Sequence, residues 1–288
     1  MTGKRFSRTF ILPVLFCLAV YGMACRSTAG TGGSDVNWKN TRVLVYTKNG
    51  KGYVHDNIPN AVAAFKKMGA DHGFAVDVSD DPSVFSDANL GRYDALVFTS
   101  TNNDVFDTDA QKVAFMRYIQ SGGGFMGVHS AIGTERKWTW FKMMIGGTFS
   151  WHAKFQKFSL QVIDPKHPSM TNVPNVWERE DECYFSKEMY PGIKTLIAHD
   201  VSSLKIVNDT VLAKNQGSFG NNYPAVWYQH FDGGHIWFTA LGHNKLDYAE
   251  PVFVNHLYQG LRWVVSQSGR RDLSKAYATS PATPVRYQ

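Results

Sequence analysis

Four histidines stand at positions where imidazole could take part in a reaction: His55, His129, His152 and His243. His55 follows a predicted first strand, His129 a fourth and His243 a late one, whereas His152 lies in a predicted loop. Imidazole transfers protons near neutral pH and binds metals. Any one of these histidines alone is better explained as a hydrogen-bonded structural or surface residue. Several of them at the carboxyl ends of parallel strands, which meet at one edge of a sheet, favour a shared site instead.

An acidic run, W-E-R-E-D-E-C-Y, covers Trp177–Tyr184 and supplies the candidate carboxylates. In an extended conformation Glu182 shares a face with the two preceding glutamates, whereas Asp181 lies on the opposite face. A solvated edge strand would explain the run. The alternatives are a metal ligand, a group that orients a histidine, or a general acid or base. Because three stacked carboxylates are better tolerated in water, we expect Asp181 rather than Glu182 to face the site.

Five tryptophans flank these polar residues: Trp138, Trp140, Trp151, Trp177 and Trp227. Their flat rings suit the apolar faces of sugars, and the indole N–H can donate a hydrogen bond. Core packing is the competing explanation and applies to most of them. The sequence leaves both explanations open for each tryptophan.

The stretch Ser121–Ala131, S-G-G-G-F-M-G-V-H-S-A, places His129. Its glycines would end the helix predicted over Asp109–Gln120, since glycine adopts positive φ without steric cost. Phe125–Val128 then forms a short buried strand that delivers His129 and Ser130 at its end. The stretch resembles a nucleophile elbow in which His129 takes the place of cysteine or serine.

The elements that must position these residues alternate between strand and helix over the first half of the chain. Continuous apolar runs predict buried strands at Arg42–Thr47, Phe74–Val78 and Tyr93–Thr99, with an amphipathic helix at Ile58–Gly69. Strand–helix alternation of this kind predicts right-handed βαβ units and a mostly parallel sheet.

The pattern changes in the second half. Phe155–Ile163 and Ala225–Phe231 alternate apolar and polar residues, and Gly234–Leu241 closes a hairpin-like pair. These segments are predicted to be antiparallel additions or a return to the sheet edge. Pro251–Val265 is a final amphipathic helix. We expect an α/β fold, a three-layer sandwich with a mostly parallel sheet, over residues 41–268.

The two ends of the chain are expected to lie outside this domain. Three basic residues, an apolar run and small residues before Cys25 are typical of a secretory signal peptide over residues 1–24. Cys25 is a candidate lipidated residue of a lipoprotein. Residues 26–40 are predicted to be a flexible linker, and residues 272–288 a disordered tail. Export is therefore expected, to the periplasm or to the membrane surface through an N-terminal lipid anchor.

Charge and cysteine content exclude other classes. Removing residues 1–24 deletes three basic residues and no acidic ones, so the formal net charge falls from +6 to +3. With no basic run either, nucleic acid is not expected as a partner. Only Cys183 remains in the domain, which excludes a disulfide within it. The sequence leaves open whether the protein is a homo-oligomer.

Taken together and in order, these motifs resemble the trehalose-utilisation (ThuA-like) family. The residues that carry the resemblance are Tyr53-x-His55-Asp56, G-G-G-F-x-G-V-H at Gly122–His129, Thr134-Glu135 with Trp138-x-Trp140, the glycine pair before His152, E-R-x-D-E-x-Y at Glu178–Tyr184, and Thr239-x-Leu241-Gly242-His243. The similarity spans Val43 to about Val265. It implies a class I glutamine amidotransferase-like, flavodoxin-like fold.

Two departures from the relatives' pattern bear on the chemistry. Amidotransferases carry a cysteine nucleophile where this chain has His129, and Ser130 lacks a G-x-S-x-G surround. A Cys–His–Glu triad is therefore not expected. Ala153 replaces a proline that follows His152 in many family members. Cys183 replaces a tryptophan and is expected to be a packing residue.

The resemblance also implies a role in carbohydrate catabolism, in some members of oxidised (keto) disaccharides. We therefore expect a carbohydrate-processing enzyme whose ligand is a small carbohydrate, a keto-disaccharide or a glycoside. The alternative is a non-catalytic sugar-binding protein.

Site residues follow from the same comparison. Catalysis is assigned to His129, Asp181 and Glu182. Substrate binding is assigned to Tyr53, His55, Glu135, Trp138, His152, Tyr184, Trp227 and His243. With a carboxylate, a zinc-like divalent metal would suit the imidazoles of His55, His129, His152 and His243.

Overall fold

The computed structural model describes residues 1–3, 36–269 and 271–286, and the fold is that of the unit Gly33–Gln288. The predicted signal peptide beyond residue 3, Cys25 and residues 26–35 of the predicted linker lie outside the described residues. Within the described ranges, no helix has both the length and the apolar character needed to cross a bilayer.

Eleven strands and six α-helices make up the described fold. The strands are β1 (Arg42–Tyr46), β2 (Ala75–Ser79), β3 (Ala95–Thr99), β4 (Gly124–Val128), β5 (Thr148–His152), β6 (Gln156–Val162), β7 (Val176–Asp181), β8 (Tyr184–Lys187), β9 (Lys194–Asp200), β10 (Asn222–Phe231) and β11 (Gly234–Thr239). The helices are α1 (Ile58–His72), α2 (Asp87–Leu90), α3 (Asp109–Gln120), α4 (Thr139–Ile145), α5 (Asp209–Gln216) and α6 (Pro251–Gln267).

Nine of the strands form one sheet in the order β2-β1-β3-β4-β11-β10-β9-β6-β7. The first five strands in this order are parallel, and the remaining four continue the sheet with antiparallel pairing. β5 and β8 form a separate antiparallel pair. The predicted α/β fold, with a parallel sheet and antiparallel additions, is confirmed. β11 also runs parallel to β4, which is the condition for His243 to share an edge of the sheet with His129.

Side chains of the central strands are buried on both faces of the sheet, which makes three layers. Along β1, Val43 and Val45 pack into a core that includes Phe65 of α1 and Leu257 of α6. The alternate residues of β1 pack into a second core, which includes Phe115 of α3 and Phe141 of α4. This explains the continuous apolar runs, because a strand covered by helices on both sides needs apolar residues at every position.

Residues 36–40, which the sequence assigns to a flexible linker, are ordered against the domain. Trp38 lies in a short 3-10 turn, and its ring centroid is 4.8 Å from that of Phe74 and 5.7 Å from that of Tyr258. The linker prediction is therefore wrong for these residues, because an apolar ring near its end packs onto α6 and the start of β2.

The disorder predicted for residues 272–288 is likewise wrong for residues 272–286. The backbone N–H groups of Tyr277 and Ala278 both donate to the Gln120 side-chain oxygen at 2.9 Å. The indole N–H of Trp138 donates to the Pro281 carbonyl at 2.8 Å. Composition predicts disorder here because the partners of this polar segment are contributed by residues more than a hundred positions away.

Candidate functional site

His129 is the first residue after β4 and adopts a left-handed backbone conformation, with φ of +54°. A non-glycine residue in this region is uncommon and concentrates at functional sites. The side chain is fully buried, and its Nδ1–H donates to the Ala240 carbonyl at 3.0 Å. Because a carbonyl only accepts, this bond places the proton on Nδ1 and leaves Nε2 unprotonated on the side of the pocket.

His55 is held in the same tautomer by Ser130. The Ser130 hydroxyl donates to the Thr101 carbonyl at 3.1 Å, so its oxygen accepts from Nδ1–H of His55 at 3.2 Å. Nε2 of His55 is therefore also unprotonated. Sequence analysis finds Ser130 beside His129 but does not assign it this orienting role.

His243 lies in the loop after β11, which is anchored from two sides. The Asn57 side-chain N–H donates to the Gly242 carbonyl at 2.6 Å. The carboxylate of Asp181 accepts from the backbone N–H groups of Gly242 at 2.8 Å and His243 at 3.1 Å. Asp181 thus holds the loop that carries His243.

The prediction that Asp181 rather than Glu182 faces the site is wrong. Asp181 is the last residue of β7, is fully buried and does not line the pocket. Strand alternation ends at Asp181, and Glu182 turns into the pocket. The two preceding glutamates remain exposed, as the solvated-edge explanation requires of them.

Glu182 is the carboxylate around which the imidazoles are arranged. Its Oε2 is 3.1 Å from Nδ1 of His243 and 3.8 Å from Nε2 of His129. Its Oε1 is 3.3 Å from Nδ1 of His152. The Tyr184 hydroxyl completes the group at 3.1 Å from Nε2 of His129. One carboxylate thus contacts three imidazoles from three separate segments of the chain.

The predicted clustering of three histidines is confirmed. Ring centroids of His55 and His129 are 4.7 Å apart, those of His129 and His243 5.3 Å, and those of His55 and His243 5.5 Å. His152 lies at the end of β5 rather than in a loop, with its side chain 40% exposed at the rim.

Burial and neighbouring charges give the histidines of the cluster different pKa values. Burial, with the neighbouring His55, lowers the pKa of His129 well below its ordinary value of 6.5. Burial and the nearby His243 lower the pKa of His55 to about 4. Burial also disfavours the charged form of His243, but the hydrogen bond and negative charge of Glu182 outweigh it and raise the pKa of His243. Near neutral pH His55 and His129 are therefore neutral, and of these three imidazoles His243 is the most readily protonated.

The pocket above this cluster has a volume of about 380 Å³. It is lined by Tyr53, His55, Asn102, Ser130, Gly133, Arg136, Phe149, His152, Glu182, Tyr184 and His243. Five of the predicted substrate-binding residues are therefore brought together here: Tyr53, His55, His152, Tyr184 and His243. His129 lies beneath them as the buried floor.

Three predicted substrate-binding residues do not line the pocket, so their assignment is corrected. Glu135 is buried, accepts from the backbone N–H of Val105 at 2.9 Å and pairs with Lys112 Nζ at 2.8 Å. Trp138 contacts the C-terminal segment, and Trp227 is buried with its indole N–H donating to the Ile145 carbonyl at 2.9 Å. Their roles are structural, as the core-packing explanation of the tryptophans predicts.

Sequence reasoning missed Asn102, Arg136 and Phe149. The Arg136 guanidinium donates to Oδ1 of Asn102 at 3.1 Å and lies 5.3 Å from the centre of the Phe149 ring. Burial lowers the pKa of Arg136. A signal for Asn102 exists, because it follows β3 at the same sheet edge as His129. No sequence pattern points to Phe149, which lies in β5 outside the main sheet.

Cys183 does not belong to the site. It is fully buried in the core, and burial raises the pKa of its thiol well above the ordinary value. It is the packing residue that the sequence predicts.

The parallel strands, the positive-φ residue directly after β4 and the polar pocket at the carboxyl edge define the class of protein. It is an α/β protein of the class I glutamine amidotransferase-like fold. The particular family follows from its sequence model: the chain belongs to the trehalose utilisation (ThuA) family, whose model matches residues 42–264.

Solved structures show the same fold. A ThuA-like protein from Bacteroides uniformis ATCC 8492 is 22% identical with a TM-score of 0.68, covering 85% of this chain and 99% of that chain. A ThuA-like protein from Parabacteroides merdae ATCC 43184 is 19% identical with a TM-score of 0.60, covering 81% and 93%. A β-galactosidase from Rahnella sp. R3 is 14% identical with a TM-score of 0.50, covering 77% of this chain and 30% of that one. No curated protein matches the chain significantly.

Proposed function

We propose that this protein is a carbohydrate-processing enzyme in which Glu182 transfers a proton to or from the substrate. The substrate class is a keto-disaccharide or a glycoside. The observation that supports this most directly is the position of Glu182, a pocket-lining carboxylate within 3.3 Å of two imidazoles. Membership of the trehalose utilisation family supports the carbohydrate class.

The chemistry of both substrate types needs a group that accepts a proton and one that donates it. Cleavage of a glycosidic bond requires protonation of the leaving oxygen, and enolisation of a keto sugar requires removal of a proton beside the carbonyl. Glu182 with a neighbouring imidazole supplies both roles, since a proton can pass between them over about 3 Å.

The remaining lining residues suit a sugar. Tyr53 presents a ring that is 62% exposed beside His55, with the two centroids 4.7 Å apart. Such a ring can stack on the apolar face of a sugar. Asn102 and Arg136 add amide and guanidinium donors on the pocket wall, which can bind hydroxyl or carbonyl oxygens.

The test is turnover by the purified protein of a panel of keto-disaccharides and glycosides, followed by NMR of the products. We expect Glu182→Gln to lose roughly 10²–10⁴-fold in rate while sugar binding, measured by calorimetry, is retained. Glu180→Gln is the matched control, because Glu180 lies two residues away in the same run but is exposed outside the pocket.

Unchanged turnover in Glu182→Gln would contradict the proposed role of this carboxylate. Binding of sugars by the wild-type protein without any turnover would instead favour the non-catalytic sugar-binding protein.

A further inference from the structure

We propose that His55, His129, His243 and Glu182 form a binding site for one divalent transition metal ion of the zinc type. Each of these residues offers one ligand atom, and the four atoms all lie within 4.8 Å of one another. The residues come from the β1–α1 loop, the end of β4, the loop after β11 and the segment after β7. The proposal goes beyond the proposed function, because it does not depend on what the substrate is.

The separations between ligand atoms suit one small cation. Bonds of about 2.0–2.1 Å from a tetrahedral zinc ion place neighbouring ligand atoms about 3.3 Å apart. Here Nδ1 of His243 is 3.1 Å from Oε2 of Glu182 and 3.3 Å from Nε2 of His129. The third distance, from Nε2 of His129 to Oε2 of Glu182, is 3.8 Å. An ion could contact all three atoms with shifts of a few tenths of an ångström.

Two of the imidazoles are already held in the tautomer that a metal requires. Metal-binding histidines typically donate their other ring N–H to a carbonyl or a polar side chain, which directs the lone pair at the metal. Nδ1–H of His129 donates to the Ala240 carbonyl, and Nδ1–H of His55 donates to the Ser130 oxygen. Nε2 of both residues is therefore unprotonated, and Nε2 of His129 lies within the cluster, 3.3 Å from Nδ1 of His243.

The donor set selects the class of metal. Three imidazole nitrogens and one carboxylate oxygen suit zinc, iron, cobalt or manganese, whereas magnesium and calcium prefer oxygen ligands. Among the described residues no thiolate contributes, since Cys183 is buried in the core. Metal binding would displace the proton between His243 and Oε2 of Glu182, leaving Oε1 beside His152 as the proton acceptor.

His152 is therefore not part of the proposed ligand set, although the sequence suggests it. Its Nδ1 lies 2.9 Å from the Ala153 carbonyl and 3.3 Å from Oε1 of Glu182. We assign it the task of positioning Glu182. Within one pocket, His243 is thus assigned as a metal ligand and His152 as a residue that positions a ligand.

The competing explanation is a metal-free network, in which His243 donates to Glu182 and Tyr184 donates to His129. The experiment therefore measures metal binding itself. The full chain without a histidine tag is treated with a chelator, dialysed and titrated with Zn²⁺ and Co²⁺ by calorimetry. Metal content after loading is measured by mass spectrometry. We expect one equivalent of metal and, with Co²⁺, the visible absorption of a four-coordinate nitrogen and oxygen site.

Variants separate ligands from neighbours. We expect His243→Ala and Glu182→Gln to weaken metal binding more than the roughly 10–100-fold expected for Ser130→Ala, which removes only the partner of His55. His230→Ala is the matched control. His230 is exposed, pairs with His235 and lies outside this pocket, so it should bind as the wild type does. Circular dichroism of each variant shows that it is folded.

Failure to bind metal at micromolar concentration, or wild-type affinity in folded His243→Ala, would overturn the proposal. Its outcome is distinguishable from that of the proposed function. Metal binding without sugar turnover would retain the site and reject the enzyme, whereas sugar turnover by a protein that binds no metal in the titration would retain the enzyme and reject the site.

Discussion

Asp181 and Glu182 are adjacent in the chain but serve different purposes. Asp181 is fully buried and accepts hydrogen bonds from backbone N–H groups, two of them in the loop that carries His243. Glu182 faces the pocket and contacts imidazoles. A carboxylate that satisfies buried N–H groups contributes to the structure, and one that faces a pocket is available to a ligand.

We predict that Asp181→Asn destabilises the protein by about 1–3 kcal/mol, because the amide can no longer accept from both Gly242 and His243. One oxygen is replaced by an N–H₂ group that opposes a buried N–H. Urea unfolding monitored by tryptophan fluorescence measures the change.

Glu180→Gln provides the comparison for this effect, since Glu180 is exposed and its replacement should change stability by less than about 0.5 kcal/mol. Equal stability of the two variants would show that Asp181 does not anchor the loop.

At the scale of elements, the turn from α3 into β4 sets the position of His129. Gly122 adopts a φ of +91° and has open space around it. Gly123 lies against the helix it follows, where an added Cβ would be 2.4 Å from Cε1 of the Tyr118 ring and 2.5 Å from its backbone oxygen. The first glycine is needed for its conformation and the second for close packing.

We predict that Gly123→Ala costs more stability than Gly122→Ala. The Gly123 variant must displace a buried ring or the backbone, which typically costs about 1–3 kcal/mol or more. The Gly122 variant meets no atom within 4 Å and incurs only the strain of positive φ, about 1–2 kcal/mol. Thermal unfolding of both variants tests the order, and a more stable Gly123→Ala would contradict this account of the turn.

At the scale of the whole molecule, the C-terminal segment is part of the folded unit. Ala278 is 2% exposed, and the Tyr277 hydroxyl donates to Asp232 at 2.5 Å. Removing residues 272–288 would leave the Gln120 amide oxygen and the Trp138 indole N–H without these partners. We predict a loss of about 2–4 kcal/mol, from two or more buried hydrogen bonds at about 1 kcal/mol each plus apolar contact. Denaturant unfolding of the truncated chain measures it, and unchanged stability would show that the segment does not stabilise the fold.

Buried neutral histidines should make the whole fold sensitive to acid. Burial lowers the pKa of His167 to about 4, and those of His199 and His256 to about 3. In the unfolded chain each returns to about 6.5, so the unfolded state binds more protons as the pH falls. The stability contribution of these histidines is therefore full above about pH 6.5 and is lost as the pH falls towards about 4 for His167 and about 3 for His199 and His256. The loss is on the order of 1–2 kcal/mol per histidine at pH 5.

His199 offers a direct test of this acid sensitivity. Neither of its ring nitrogens has a hydrogen-bond partner among the described residues. Its ring lies edge-on to that of Phe158, with the two ring centroids 5.2 Å apart. We expect His199→Leu to reduce the difference in unfolding free energy between pH 7.5 and pH 5 by about 1–2 kcal/mol, the contribution of one histidine. An unchanged difference would mean that His199 does not contribute to acid sensitivity.

The sequence alone determined the strands and helices of the first half of the chain and the clustering of three histidines. Apolar runs identified β1, β3 and β4, because strands covered on both sides leave a continuous local pattern. The clustering of His55, His129 and His243 followed from topology, since the carboxyl ends of parallel strands share one edge whatever the surrounding packing. These features depend on short stretches of chain and on general rules of sheet geometry.

Only the tertiary structure decided which groups face the pocket. Glu182 faces the pocket in place of Asp181, because β7 ends at Asp181 and the buried carboxylate of Asp181 binds backbone N–H groups about sixty residues later in the chain. Glu135 and Trp138 lie outside the pocket, where they form hydrogen bonds with other segments of the chain. The direction of a side chain beyond a strand end depends on such distant contacts, and local alternation carries no information about them.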